Sequence, residues 1–239
     1  MPSPRVLVIQ HDLDDALNDL ANPLVDAGLT IDTWCTWQDP APPGALEEFS
    51  GVISMGAVTS VLDVDSKPWI ANEIALLQEA LAQSIPILGV CFGSQILATA
   101  AGGSVRKGEV VEIGWCDVTM TPDAKTDPLF KVFSPIFVGM QFHYDTFDLP
   151  ENAKVLATAQ GMIQGYRIGP NAWATQFHIE ANPSIVYGWL GTYRSEIDAQ
   201  GVNIDSLRST TEQYWRKHRE ISTNFGAAFA QVVLTYSTK

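Results

Sequence analysis

The sequence has little cysteine. Three stand among 239 residues, Cys35, Cys91 and Cys116, odd in number and far apart. Neither a disulfide framework nor a Cys-x-x-Cys metal or redox motif can be built from them, so a reducing cytoplasm is the expected setting. Long apolar runs are missing too. No stretch of roughly 18 apolar residues occurs, which argues against a membrane span, and Met1-Pro2-Ser3-Pro4-Arg5 leads into Val6-Leu7-Val8-Ile9 without the layout of a signal peptide. Basic residues are scarce: 14 Lys and Arg face 27 Asp and Glu, for a formal charge of -13. Such a field repels phosphate backbones, so no nucleic acid is expected as a partner, and its plainest use is to keep a soluble protein dispersed. No G-x-x-x-x-G-K-[ST] phosphate loop, internal repeat or linker is present, and neither a metal nor an organic cofactor is expected.

What is present suits a substantial core, since 46% of the residues are hydrophobic. Arg5 to Gln10 reads as a buried strand, and Ala16 to Ala27 as a helix stopped by Gly28. Thr30 to Thr36 and Gly51 to Met55 read as strands, Glu73 to Gln83 as a helix, and Pro86 to Val90 as a strand running into Cys91. Buried strands alternating with helices predict a three-layer α/β fold, a mainly parallel central sheet with helices on its faces. Functional residues then collect beyond the carboxyl ends of the strands, where Gly56 and Cys91 both fall. From Gly102 to Gln176 the pattern turns to shorter β pieces, among them Val110 to Ile113 and Cys116 to Met120, as in an antiparallel excursion on the same sheet. After Pro183 the chain turns helical, over Ile185 to Tyr193 and Ile204 to Leu234. The expected organisation is one domain over 1–239, with 184–239 a helical C-terminal extension.

The most informative segment is Ile87-Leu88-Gly89-Val90-Cys91-Phe92-Gly93-Ser94-Gln95-Ile96-Leu97-Ala98, an aliphatic strand, a G-x-C-x-G turn and an immediate helix. This is the form of a nucleophile elbow. The flanking glycines remove side chains that would collide as the turn folds back, and the thiol is held outward at a helix N-terminus that favours a thiolate. The same geometry aims the Phe92 N–H at a developing oxyanion. Cys35 and Cys116 lack this setting and read as small buried hydrophobes.

A thiolate that attacks amides needs a histidine to protonate the leaving nitrogen and an acceptor to fix that imidazole's tautomer. Four histidines are available. His178 lies in Gln176-Phe177-His178-Ile179-Glu180, where Glu180, two positions on, projects from the same side of an extended chain. His11 follows the first strand and could also face the site, His143 lies in Gln141-Phe142-His143-Tyr144-Asp145, and His218 sits in a charged helix and reads as a solvated residue.

Over roughly residues 5 to 190 the chain resembles class I glutamine amidotransferases, and most of all the stand-alone members similar to the glutaminase domain of GMP synthetase and to γ-glutamyl peptidases. Four motifs carry the resemblance in order: Gly89-Val90-Cys91-Phe92-Gly93-Ser94-Gln95; Gly102-Gly103-Ser104-Val105 with Glu112-Ile113-Gly114-Trp115; Phe142-His143-Tyr144-Asp145; and Gln176-Phe177-His178-Ile179-Glu180. The resemblance implies a flavodoxin-like fold and hydrolysis of a γ-glutamyl amide through a Cys91 thioester, with His178 as proton donor and Glu180 as its orienter. It also implies that Gln95 and His143 to Asp145 line the glutamyl pocket, and that the loop after Met55 supplies a second oxyanion N–H from Gly56 or Ala57.

The chain departs from the family where Gly-Gly-Pro usually follows the third strand. Here Ser54-Met55-Gly56-Ala57-Val58 stands instead, which moves the expected substrate away from free glutamine. Ile179 stands where many members have proline. Two functions stay open: an autonomous hydrolase of a small γ-glutamyl peptide or amine, and a glutaminase subunit passing ammonia to a separate synthetase partner in trans, docked through helices bearing Trp189, Tyr193, Tyr214 and Trp215.

Overall fold

A computed structural model describes residues 3–238. The first strand, β1 (Arg5–Gln10), shows why the sheet forms. Successive side chains of a strand point to opposite faces. Val6 and Val8 therefore join one apolar cluster and Leu7 and Ile9 another, and all four are buried. A strand apolar on both faces needs cover on both.

After β1 come α1 (Ala21–Asp26), β2 (Thr30–Cys35), β3 (Gly51–Ser54), α2 (Pro68–Ala82), β4 (Ile87–Val90), α3 (Phe92–Ala100), β5 (Ser104–Met120), β6 (Ile136–Asp148), β7 (Ala153–Ala159), β8 (Met162–Ile168), β9 (Ala172–Thr175), α4 (Pro183–Thr192), α5 (Arg194–Ala199) and α6 (Ile204–Ser237). The nine strands form one sheet in the order β2-β1-β3-β4-β9-β8-β7-β5-β6. From β2 through β9 neighbours run parallel, and from β9 to β6 they run antiparallel. The expected architecture is present, with the antiparallel excursion continuing the sheet beyond β9.

Helices α2 and α3 cover the Leu7 and Ile9 face through Ile70, Leu77, Ile96 and Leu97. Helices α1 and α6 cover the other through Leu24, Phe225, Phe229 and Val233. A third cluster packs α4, α5 and the start of α6 around Met140 of β6. Parallel register then levels the strand ends: Ile9 pairs with Ser54 and Val90 with Thr175. The residues that follow, His11, Met55–Gly56, Cys91 and Gln176–His178, consequently emerge at one edge of the sheet.

Several boundaries differ from expectation. The helix read over Ala16 to Ala27 is a 3-10 turn at Asn18–Leu20 followed by a short α1. Asn18 has φ +44°, in the left-handed region, which an α-helix does not tolerate. Residues 11–17 are thereby released as a loop at the carboxyl edge. The helix read from Glu73 begins earlier, at Pro68, a residue suited to a helical first turn. The β pieces at Val110 and Cys116 belong to one long strand, β5, whose register with β6 breaks between Lys107 and Glu112. Cys35 and Cys116 are only half-buried. The largest correction is His218. It is buried, because the α6 face that carries it turns inward onto the segment after β9.

Candidate active site

The chain leaves β4 at Val90 and begins α3 at Phe92, so Cys91 alone makes the reversal. Its φ of +52° and ψ of -106° are strained for a side chain with a Cβ, at a typical cost of roughly 1–3 kcal/mol. Surrounding contacts hold it there: Cys91 N–H donates to Thr175 O at 2.8 Å, and Gly93 N–H to Met55 O at 3.0 Å. The turn closes so tightly that a Cβ on Gly89 would lie 2.4 Å from Gly93 O, and one on Gly93 would lie 2.0 Å from Ser54 O. Both glycines of the elbow are therefore obligatory on steric grounds. The thiol receives a weak contact from Gln176 Nε2 at 3.8 Å, and Phe92 opens the helix beside it.

His178 follows β9, with its N–H donating to Met140 O at 2.8 Å. Its Nδ1 meets Glu180 Oε1 at 2.7 Å, both side chains being buried. Nδ1 is therefore the nitrogen that carries the proton toward the carboxylate. Nε2 makes no hydrogen bond within the protein and is free for the thiol. Burial alone pulls the His178 pKa down, but the charges of a Cys91 thiolate and of Glu180 overcome it and leave the pKa well above the ordinary histidine value. Trp189 packs edge-on against the imidazole at 4.5 Å. From α6, His218 Nε2 meets His178 O at 3.0 Å, and burial holds His218 toward its neutral form.

The Gly56–Ala57 loop is tied from beneath by a second histidine–glutamate pair. His11 Nδ1 donates to Gly56 O at 2.9 Å, and His11 Nε2 meets Glu73 Oε2 at 2.8 Å. Ser54 Oγ donates to the other Glu73 oxygen at 2.6 Å, and the His11 ring lies between Trp69 and Phe92. Burial opposes a charged His11, yet Glu73 outweighs it and the His11 pKa is raised. In a trans peptide the C=O and N–H point in opposite directions. Holding Gly56 O on His11 therefore turns the Ala57 N–H the other way, and Ala57 lines the cleft.

The cleft has a volume of about 260 Å³ and contains Cys91, Phe92 and His178 together with Gln95, His143 and Asp145. Gln95 Nε2 donates to Asp145 O and to Gln176 Oε1, each at 3.3 Å. His143 lines the wall, but its nitrogens are engaged by Asp145 O, Gln141 and Glu112. Asp145 accepts from Ser60 Oγ and pairs with Lys107 Nζ at 2.8 Å. All nine residues singled out in the sequence thus sit on this cleft or, for Glu180 and Gly56, directly behind it. Four others escaped sequence reasoning: Asp15, Lys107, Glu73 and Tyr193. Lys107 alone had a legible signal, since β5 and β6 pair it with Asp145. Among the described residues no three His, Cys, Asp or Glu side chains converge as metal ligands would.

Over residues 18–185 the chain matches the family model described as glutamine amidotransferase class-I. It is 26% identical over 241 residues to the glutamine amidotransferase-like protein YfeJ of Salmonella typhimurium, an alignment covering 98% of this chain and 100% of that one. It is 28% identical over 188 residues to a γ-glutamyl-L-1-hydroxyisopropylamide hydrolase of a Pseudomonas species, covering 72% of this chain and 58% of the relative. Among solved structures it is similar to a glutamine amidotransferase of Thermotoga maritima, with a TM-score of 0.86 at 28% identity, over 96% of this chain and 98% of the other.

Proposed function

The chain belongs to the class I glutamine amidotransferase family, and from that premise we propose that it hydrolyses a γ-glutamyl amide through a thioester on Cys91. The observation that carries this reading is the 2.7 Å contact between His178 Nδ1 and Glu180, which commits one imidazole nitrogen and leaves the other for the thiol. Cys91 Sγ attacks the γ-carbonyl carbon, and the oxygen's negative charge is taken by the N–H groups of Phe92 and Ala57. As the C–N bond breaks, His178 Nε2 gives its proton to the departing nitrogen. Water then attacks the thioester, losing a proton to His178, and releases glutamate with the thiol restored. Lys107 and Asp145 supply one positive and one negative group, matching the α-carboxylate and α-ammonium of the glutamyl head.

Two features favour an amide larger than glutamine. The Met55-Gly56-Ala57 loop differs from the family pattern, and a relative is a hydrolase of a γ-glutamyl alkylamide. The test is to assay the purified chain alone with glutamine and with a set of γ-glutamyl amides. Cleavage of the amides, lost by at least about a thousandfold in Cys91→Ala, is expected. Full activity in Cys91→Ala would refute the mechanism, and silence on every substrate until a synthetase is added would favour the ammonia-delivering subunit instead.

A further inference from the structure

Asp15 is the buried acid of this cleft that the hydrolytic chemistry leaves unused. It lies in the loop after β1, lines the cavity and is only 5% exposed. Among the described residues its carboxylate accepts no hydrogen bond and pairs with no lysine or arginine, although its own N–H donates to Asp12 O at 3.2 Å. Burial, with Glu180 and Asp12 adding to it, pushes its pKa up to about 7. The other carboxylates of the cleft are provided for. Asp145 has Lys107 and Ser60, while Asp63 is solvent-exposed and accepts from Thr59 and from the Ser60 N–H. A γ-glutamyl head carries one charge of each sign, so Lys107 and Asp145 satisfy it and Asp15 is surplus negative charge.

Its position says which part of a substrate it meets. A Cβ placed on Gly56 would lie 3.0 Å from Asp15 Oδ1 and 3.3 Å from His178 Cε1, so the carboxylate stands beside the imidazole that hands its proton to the leaving nitrogen. The cleft wall there also includes Trp189 and Tyr193. Burial raises the Tyr193 phenol to about 12, with Asp15, Asp12, Asp14 and Glu196 acting in the same direction, which shows how closely the carboxylates gather around that ring. An unpaired carboxylate between aromatic rings is a receptor for an ammonium ion.

Resting on the hydrolase reading above, we propose that Asp15 and Tyr193 form a leaving-group subsite for a cation, so that the preferred substrate is the γ-glutamyl amide of a diamine or polyamine. The full chain is assayed with three amides of equal length, the γ-glutamyl derivatives of 1,4-diaminobutane, butylamine and 4-aminobutanoate. The expected order of kcat/KM is cationic, neutral, anionic, with the cationic compound ahead of the neutral one by about tenfold or more, the size of one hydrogen bond to a charged group. Asp15→Asn lowers that ratio by about tenfold. Should Asp15→Asn fail to fold, Asp12→Asn and Tyr193→Phe lower the same ratio by about threefold each. A wild-type enzyme indifferent to charge, or one preferring the neutral or anionic amide, overturns the subsite. So does an Asp15→Asn variant that slows all three equally, which assigns Asp15 to the glutamyl head. No Cys91-dependent cleavage of any of the three would overturn the hydrolase reading and the subsite with it.

Discussion

The imidazole of His11 touches no part of the cleft's chemistry directly, yet it holds Gly56 O and Glu73 at once. Replacing it by Phe frees the Gly56 carbonyl and leaves Glu73 buried with only Ser54 for company. The loop then no longer has a reason to present the Ala57 N–H, and kcat is expected to fall about a hundredfold, as when one oxyanion donor is lost. His11→Gln, which retains a donor, should recover part of it, while KM for the glutamyl amide changes little. Steady-state kinetics on the two variants checks this. Asp15 makes a prediction in stability. Its usual pKa of 3.8 rises to about 7 in the fold, so the unfolded chain gives up the proton first as pH rises. Stability contributed at this site therefore declines across the window from about pH 4 to about pH 7 and stays low above it. Asp15→Asn should raise the melting temperature at pH 8, by roughly 3 kcal/mol of stability, and give no gain at pH 4. Thermal melts at the two pH values measure it.

At the scale of elements, the site is a consequence of register. Strands β1, β3, β4 and β9 run parallel and end level, and the loops beyond them carry His11, Gly56, Cys91 and His178. The elbow locks two of these ends together, because Gly93 packs on Ser54 and its N–H bonds Met55 O. Gly93→Ala would force a Cβ to within 2.0 Å of Ser54 O, a backbone atom that cannot step aside. A loss of at least about 4 kcal/mol is expected, of the size that follows overpacking with backbone displacement. Denaturant titration should show it, with the soluble fraction failing to react with a thiol reagent at Cys91. The elbow was legible in the sequence because strand, glycine pair and helix are all local signals. The helix expected at Ala16 was not, since Asn18 breaks it and only the packing of residues 11–17 over the strand ends explains why that break is held.

At the scale of the whole molecule, α6 is part of both the core and the site. Phe225, Phe229 and Val233 are fully buried beneath the sheet, and seven turns earlier in α6 Thr211 accepts from Trp115 Nε1 at 2.9 Å. Burying each Phe is worth roughly 2–3 kcal/mol. Truncation after Asn224 exposes both and opens the face that α1 shares, so the shortened chain is expected to be insoluble or to bind a hydrophobic dye, with no residual cooperative melt. His218 adds a catalytic side to the same helix, since it is the α6 residue that grips His178 O.

The sequence by itself determined the order of strands and helices, the identity of the nucleophile and the His178–Glu180 pair. Those signals depend on residues within a few positions of one another: buried runs, paired glycines, and a carboxylate two places beyond a histidine. Only the tertiary structure decided which polar residues are buried and against what. Asp15 beside His178, Glu73 under His11, and His218 on His178 O are separated in sequence by tens of residues or more. A local pattern reads each of them as an ordinary charged surface group. Whether a charge is solvated, paired or left alone in a cleft depends on the elements packed over it, and that is where the preference for one leaving group over another is set.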